Sequence, residues 1–189
     1  FGYMMALFLI FWFFVQTTWD FKNRIKTFLD FTIVSILSGV TSLIMILPTF
    51  LDLKTHGEKL TSVDRLFTEK TWFLDIFAKN FIGSFDTTKY GSIPMIYVGI
   101  VPLLLAILFF TLKSIKFHVK LSYFFLIIIF IASFSLERLD LFWQGMHAPN
   151  MFLHRYSWLF SLLIIFLAAE TLQCLKQIKF KNLIISFTI

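Results

Sequence analysis

The side chains with the greatest capacity for chemistry lie between residues 137 and 155, a polar run that separates two apolar stretches. Its candidate residues are Glu137, Arg138, Asp140, Trp143, Gln144, His147, Asn150, His154 and Arg155. An arginine can hold a phosphate through two parallel N–H bonds while its stem stays in the membrane interface, so Arg155 is our candidate phosphate ligand. Snorkelling of an ordinary interfacial arginine is the alternative.

The two histidines of this run are candidates for proton transfer. His147 and His154 can each serve as acid, base or phosphate donor near neutral pH. Their separation of seven residues matches no strong metal-ligand spacing. No cofactor is evident, and a divalent metal, although compatible with phosphate chemistry, is supported by no residue pattern. Trp143 and Trp158 either stack on sugar rings or belong to an interfacial aromatic belt.

A second polar region contains the acid Asp86. Gly83 and Gly91 flank it and allow tight turns, and Pro94 suits the first turn of the next apolar run. Asp86 therefore either caps a turn or serves as an acid that contacts a substrate or a cation just above the membrane. Pro102 falls inside the apolar run and is expected to kink it.

Transmembrane helices must position these residues. Hydrophobic residues make up 58% of the chain, which contains 27 phenylalanines and has a mean hydropathy of +0.83. A helix of about 20 residues crosses the hydrocarbon layer, and five runs fit: 2–19, 31–50, 93–112, 121–136 and 156–175. A sixth starts at residue 183. The predicted fold is an all-α, polytopic transmembrane helical bundle. Because both ends fall inside apolar runs, we expect an internal piece of a longer protein.

The net charge of +6 is distributed as in a membrane protein rather than a nucleic-acid-binding one. Loops 20–30, 113–120 and 176–182 each carry three Lys or Arg. They alternate with loops 51–92 and 137–155, in which acids and bases balance. The positive-inside rule places the basic loops in the cytoplasm and the two polar loops outside the cell. The expected partners therefore include membrane lipids and exclude nucleic acid.

Loop 51–92 is too long for a simple turn and too polar to span the membrane. From Leu66 to Phe81 its apolar residues recur at near-helical spacing with charges between them. The pattern predicts two short amphipathic helices lying in the interface, with Thr71 capping the second. The alternative is a loop packed on the ends of the spans by its aromatic residues.

Three strings in the chain resemble the bacterial YfhO family of large membrane proteins. They are Leu47-Pro-Thr, Gly83-Ser-Phe-Asp-x-x-Lys-Tyr-Gly-Ser-Ile-Pro-Met-Ile-Tyr-Val-Gly and Met146-His-Ala-Pro-Asn-Met-Phe-Leu-His-Arg-Tyr-Ser-Trp-Leu-Phe-Ser. The most specific part is Arg155-Tyr-Ser after the Pro149-Asn turn. YfhO proteins are similar to GT-C glycosyltransferases, so the resemblance implies a GT-C-like bundle in the bacterial cell membrane.

The resemblance also implies an activity: transfer of a sugar from a polyprenyl-phosphate carrier to a cell-wall polymer, such as lipoteichoic acid, on the outer face. It implies that the main catalytic acid lies before Phe1, so that this piece alone would be inactive. Arg155 would then hold the carrier phosphate, with Arg138, His147 and Asn150 as polar contacts and Asp86 as a secondary acid.

Two other classes stay open. A lipid or polysaccharide transporter or flippase would also line a cavity, but it would favour charges near the bilayer midplane and inverted repeats. The five predicted spans contain a single charged residue, Glu170, which places this class second. A non-catalytic scaffold subunit is third, and an acid in the first outside loop of the full-length protein would argue against it.

Overall fold

The computed structural model describes residues 2–17, 24–56, 66–68, 80, 94–147 and 154–175. Within these ranges the regular elements are all helices. They are α1 (Gly2–Gln16), α2 (Arg24–His56), α3 (Ile100–Thr111), α4 (Phe117–Ser135), α5 (Glu137–Trp143) and α6 (Ser157–Leu175). The all-α class predicted from the sequence is therefore confirmed.

Three of the described helices are long and apolar enough to cross a membrane. These candidate spans are Arg24–Pro48 within α2, Phe117–Ser135 in α4 and Ser157–Cys174 in α6. The helices α1 and α3 are apolar but shorter. Helices suit the interior of a lipid bilayer because every backbone N–H and C=O within a span is hydrogen-bonded inside the helix. The run that starts at residue 183 and most of the predicted amphipathic segment lie outside the described residues.

The predicted span 93–112 is only partly helical. Residues 94–99 adopt no regular structure, and α3 starts at Ile100. Gly99, directly before it, has a φ of 88°, a left-handed conformation that glycine adopts without steric cost. Pro102 consequently falls in the first turn of α3, where its missing N–H costs no helical hydrogen bond. The structure thus places Pro102 at a helix start, and the kink expected in mid-span is corrected.

The core forms where α3 packs on α6 and where α1 packs on α4 and α5. Its fully buried side chains include Val119 and Tyr123 of α4 and Leu163 of α6. Thr171 of α6 donates a hydrogen bond of 3.0 Å to the carbonyl of Leu105 in α3. Helices in a bilayer associate through such packing and interhelical hydrogen bonds, because lipid tails are as apolar as the side chains.

The helix α2 lies largely outside this core. Its side chains from Ile33 to Pro48 are exposed. It contacts α1 through Phe13, whose ring centroid lies 4.6 Å from that of Phe31 and 5.9 Å from that of Phe28. Such an apolar surface is suited to contact with lipid tails or with other apolar helices.

The two ends of α4 differ in chemistry. Its start follows the short connection that contains Lys113 and Lys116, and Lys120 donates from Nζ to the carbonyl of Phe110 at 2.8 Å. This bond satisfies a free carbonyl at the C-terminal end of α3. The other end of α4 leads into α5 and meets the start of α6. The described polar residues of the run 137–155 therefore gather at the end of α4 remote from these lysines.

Candidate functional site

The short helix α5 sits on the end of α4 across a sharp bend at Leu136. Leu136 has extended dihedrals (φ −102°, ψ 119°), and its N–H still bonds to the carbonyl of Ala132 at 2.8 Å. The segment 66–68 pairs with this bend: Thr68 N–H donates to the Ser135 carbonyl at 3.0 Å, and Glu137 N–H donates to the Leu66 carbonyl at 3.3 Å. The two loops that the sequence places on one side of the membrane therefore touch.

This pairing corrects part of the prediction for loop 51–92. Leu66 to Thr68 are not helical, and Phe67 forms an isolated antiparallel bridge with Leu136. The hydroxyl of Thr68 adds a bond of 2.8 Å to the Phe134 carbonyl. Backbone groups left free by the bend after α4 find partners in this segment, which explains why it is extended.

A buried acid and histidine pair joins α5 to the start of α6. The Nδ1 of His154 lies 2.9 Å from Oδ1 of Asp140, and the two residues are 4% and 6% exposed. Because a carboxylate only accepts, Nδ1 is the protonated nitrogen that donates. Gln144 donates from Nε2 to Oδ2 at 2.9 Å, so each carboxylate oxygen accepts a bond. A buried carboxylate requires such partners, because its desolvation is otherwise costly.

Four aromatic rings form a stack next to this pair, and the ring of His154 meets one of them, Phe134, edge-on. Their order is Phe130, Trp143, Tyr156, Phe134, with centroids 5.1, 5.4 and 5.3 Å apart and interplanar angles of 17°, 17° and 9°. The stack joins α4, α5 and the turn before α6. Each adjacent pair in such an offset arrangement adds to the stability given by burial alone.

The polar atoms of the stack are satisfied by one residue of α4. Trp143 donates from Nε1 to Oγ of Ser133 at 3.0 Å, and the hydroxyl of Tyr156 donates to the Ser133 carbonyl at 2.7 Å. Tyr156 lies in the turn before α6, outside the span. Burial, followed by the charge of Asp140, raises the pKa of Tyr156 well above its ordinary value, so the phenol stays protonated. Trp143 is 1% exposed, so stacking on a sugar is excluded for Trp143 in this structure.

The residue His154, in the turn before α6, has a left-handed backbone conformation. His154 has a φ of 55°, and its carbonyl accepts from Ser157 N–H at 2.9 Å. The side chains of His154 and Tyr156 are buried, whereas Arg155 between them is exposed. The left-handed conformation of His154 thus lies directly before an exposed cation that is flanked by two buried side chains.

The predicted site residues fall into two groups. Arg155, Arg138 and His147 are exposed, and none of them has a hydrogen-bond or ion-pair partner within the described part of the chain. The structure brings Arg155 and Arg138 to adjoining elements, because the Asp140–His154 bond joins α5 to the turn before α6. Asn150 and Asp86 lie outside the described residues.

Sequence reasoning noticed Asp140, Gln144 and His154 but assigned no joint role to them. The structure makes His154, rather than His147, the histidine that engages an acid. One signal was available: Asp140 and Gln144 are four residues apart and so share a face of α5 and its continuation. The fourteen-residue separation of Asp140 from His154 gave no such signal.

An apolar pocket of about 450 Å³ lies between α3 and α4, with α6 contributing one wall. Its lining includes Ile107 and Phe110 of α3, Ile131 of α4 and Phe160 of α6. Asn80 also reaches it from the loop 51–92. Phe160 connects the pocket to the aromatic stack, because its ring centroid lies 5.9 Å from those of Phe130 and Phe134. A pocket of this size and lining suits an apolar ligand chain.

The described residues contain no group of three or more His, Cys, Asp or Glu side chains able to hold a metal ion. Asp140 and His154 form a pair, and both carboxylate oxygens of Asp140 already accept hydrogen bonds. The arrangement is therefore better suited to holding the side chains of Asp140 and His154 in place than to binding a metal ion.

The fold and the site together define a polytopic helical membrane protein with a polar cluster at one end of its bundle and an apolar pocket beside it. The whole chain, residues 1–189, matches the family model described as "Bacterial membrane protein YfhO", and the chain therefore belongs to the YfhO family. The resemblance found in the sequence is confirmed. Comparison with curated proteins and with solved structures found no match.

Proposed function

We propose that the full-length protein is a membrane glycosyltransferase that transfers a sugar from a polyprenyl-phosphate carrier to a cell-wall polymer such as lipoteichoic acid on the outer face of the bacterial membrane. The observation that carries this proposal is the position of Arg155. Its exposed guanidinium lies at the head of the span α6, and the apolar pocket begins in the first turn of the same helix with Phe160.

A polyprenyl phosphate combines an anionic head with an apolar tail, and this end of the bundle offers a complement to both. Arg155 and Arg138 are exposed cations on adjoining elements. The N-terminal end of α6 adds the positive end of a helix dipole, which favours an anion. The pocket between α3 and α4 supplies apolar contact area for the first part of the tail. His147, exposed after α5, and Asn150 are the further polar contacts of this proposal.

The reaction would be a displacement at the anomeric carbon of the sugar. The acceptor hydroxyl oxygen forms the new bond, its proton passes to a carboxylate, and the bond to the carrier oxygen breaks with both electrons remaining on the phosphate. Cationic donors such as Arg155 stabilise that leaving group. Asp140 is an unsuitable base because both its oxygens accept internal hydrogen bonds. The proton acceptor is therefore assigned to another acid of the full-length protein, with Asp86 the secondary candidate in this chain.

The outer-face location rests on charge distribution. The lysines near the start of α4 and the polar cluster lie at opposite ends of that helix. With the lysines in the cytoplasm, as the positive-inside rule favours, the polar cluster lies outside, where a wall polymer is accessible.

The test is complementation of a deletion strain with full-length variants, followed by mass analysis of wall-polymer glycosylation. Arg155→Ala should lower sugar addition by about tenfold or more, because one charge-assisted hydrogen bond contributes about 1.5–3 kcal/mol. Arg155→Lys should retain part of the activity, since it keeps the charge but loses the bidentate geometry. Lys113→Ala, an exposed cation at the opposite end of α4, is the matched control and should behave as wild type.

Membrane abundance of each variant must be equal for the comparison. Wild-type glycosylation in the Arg155→Ala strain would refute the phosphate role of Arg155. Movement of the carrier lipid across vesicles containing the purified protein, without any sugar transfer, would favour the transporter class instead.

A further inference from the structure

We propose that His154 is a positioning residue for Arg155: the buried Asp140–His154 bond holds a left-handed turn that directs the arginine out of the bundle toward a lipid-linked phosphate. This inference rests on the proposed function, and it specifies which residues prepare the phosphate site.

The turn requires an unusual backbone conformation at His154. His154 has a φ of 55°, a region in which side chains other than glycine are uncommon and in which asparagine, aspartate and histidine are the favoured exceptions. Such a conformation is retained only where the surroundings hold it, and it is concentrated at functional sites.

Three described contacts hold His154 in this conformation. Its Nδ1 donates to Oδ1 of Asp140 at 2.9 Å, its ring meets that of Phe134 edge-on at 5.7 Å, and its carbonyl accepts from Ser157 N–H at 2.9 Å. Asp140 is itself fixed by Gln144. Since Asp140 and His154 are both buried, rotation of the imidazole out of the site would leave a carboxylate with one partner fewer.

The consequence falls on Arg155, which is exposed between two buried neighbours. Tyr156 is 0% exposed, and its hydroxyl bonds to the Ser133 carbonyl. The backbone of Arg155 is therefore anchored on both sides, and its guanidinium projects from a fixed base. Binding to a preorganised cation costs the protein less conformational entropy than binding to a cation on a loose turn.

The inference is tested with the full-length protein in phosphatidylcholine nanodiscs and three probes. The probes are undecaprenyl phosphate, undecaprenol and inorganic phosphate, and the readout is the ratio of Kd values for the phosphate and the alcohol. Arg155→Ala should reduce the preference for the phosphate by about tenfold or more. His154→Ala should reduce it by about threefold to tenfold while leaving the Kd for undecaprenol unchanged.

The double variant separates positioning from general structure. If His154 acts through Arg155, the preference for the phosphate in the double variant should equal that of Arg155→Ala alone. His154→Asn should restore most of it, because asparagine tolerates the left-handed backbone and can donate to Asp140. His154→Gly accommodates the backbone without the bond and should remain defective; it also provides a folded comparison if His154→Ala does not insert. His118→Ala, a histidine at the other end of α4, is the matched control.

The outcomes distinguish the two proposals. An unchanged ratio in Arg155→Ala contradicts the phosphate role in the proposed function, and with it this inference. Two other outcomes contradict the positioning role alone. In the first, Arg155→Ala has the expected effect, but the losses of phosphate preference from the two single variants multiply in the double variant. In the second, His154→Ala weakens the binding of undecaprenol as much as that of undecaprenyl phosphate. If inorganic phosphate competes for the site with the same affinity as undecaprenyl phosphate, the site binds a free anion, and the inference is overturned.

Discussion

Replacing Asp140 with alanine should destabilise the end of the bundle by about 3–5 kcal/mol, the usual cost of removing one partner from a buried pair. The structure explains why the cost is high. Both carboxylate oxygens accept hydrogen bonds at 2.9 Å, from His154 and from Gln144, and Asp140 and His154 are nearly inaccessible. The substitution leaves two donors without acceptors and removes the restraint on a left-handed residue.

The milder variant Asp140→Asn should destabilise the end of the bundle by less than Asp140→Ala does. Its carbonyl oxygen can still accept from His154, but its NH2 group would face the donor of Gln144, so about one hydrogen bond, or about 1–2 kcal/mol, should be lost. Arg138→Ala, on the same short helix but exposed, is the matched control and should change stability by about 0.5 kcal/mol at most.

The measurement is thermal unfolding of the full-length protein in detergent, followed by tryptophan fluorescence. Trp143 is a suitable reporter because it is stacked between Phe130 and Tyr156. For a cooperative unit of 150–250 residues, 3 kcal/mol corresponds to a fall in Tm of about 6 °C or more. An Asp140→Ala shift no larger than that of Arg138→Ala would refute the reasoning that the buried pair stabilises this end of the bundle.

Two further predictions concern topology and pH. In a full-length protein whose cysteines, Cys174 among them, are replaced by alanine, a membrane-impermeant thiol reagent added to intact cells should label Ser62→Cys and spare Gln177→Cys. Loop 51–92 is expected outside and the basic loop 176–182 inside, so the reverse pattern would overturn the orientation. Because the pKa of Tyr156 is raised, the folded state holds its phenol proton more tightly than the unfolded state, so stability should fall as pH rises above the ordinary tyrosine pKa of about 10. Tyr156→Phe should weaken that alkaline loss, and an unchanged unfolding profile between pH 9 and 11 would contradict it.

The extent to which the fold could be predicted is clearest at α3. Hydropathy located an apolar run at 93–112, but hydropathy does not distinguish a helix from an extended apolar segment. Gly99 and Pro102 were visible in the sequence. Their consequence, a helix that begins at Ile100, depends on whether residues 94–99 can find other contacts. Pro94 and Ile96 are buried in the structure, which gives that segment a reason to lie on the bundle without being helical.

The candidate site shows the same division. The composition of the run 137–155 located the polar cluster, and Arg155 is exposed at the head of a span as the sequence suggested. The choice between His147 and His154 could not be made from spacing. It was decided by the bend at Leu136, which turns α5 so that Asp140 faces the start of α6. Trp143, for which the sequence left an interfacial belt or stacking on a sugar as alternatives, is buried by that same bend.

The sequence by itself determined the membrane class, the positions of the apolar runs and the place where polar chemistry is concentrated, because hydrophobicity and charge act locally and are readable residue by residue. Only the tertiary structure decided which polar residues are paired inside and which are presented outward. That decision depends on a bend after α4, a left-handed turn at His154 and a bond between residues fourteen positions apart. Contacts at such separations are fixed by packing of whole helices, which no local pattern in the chain records.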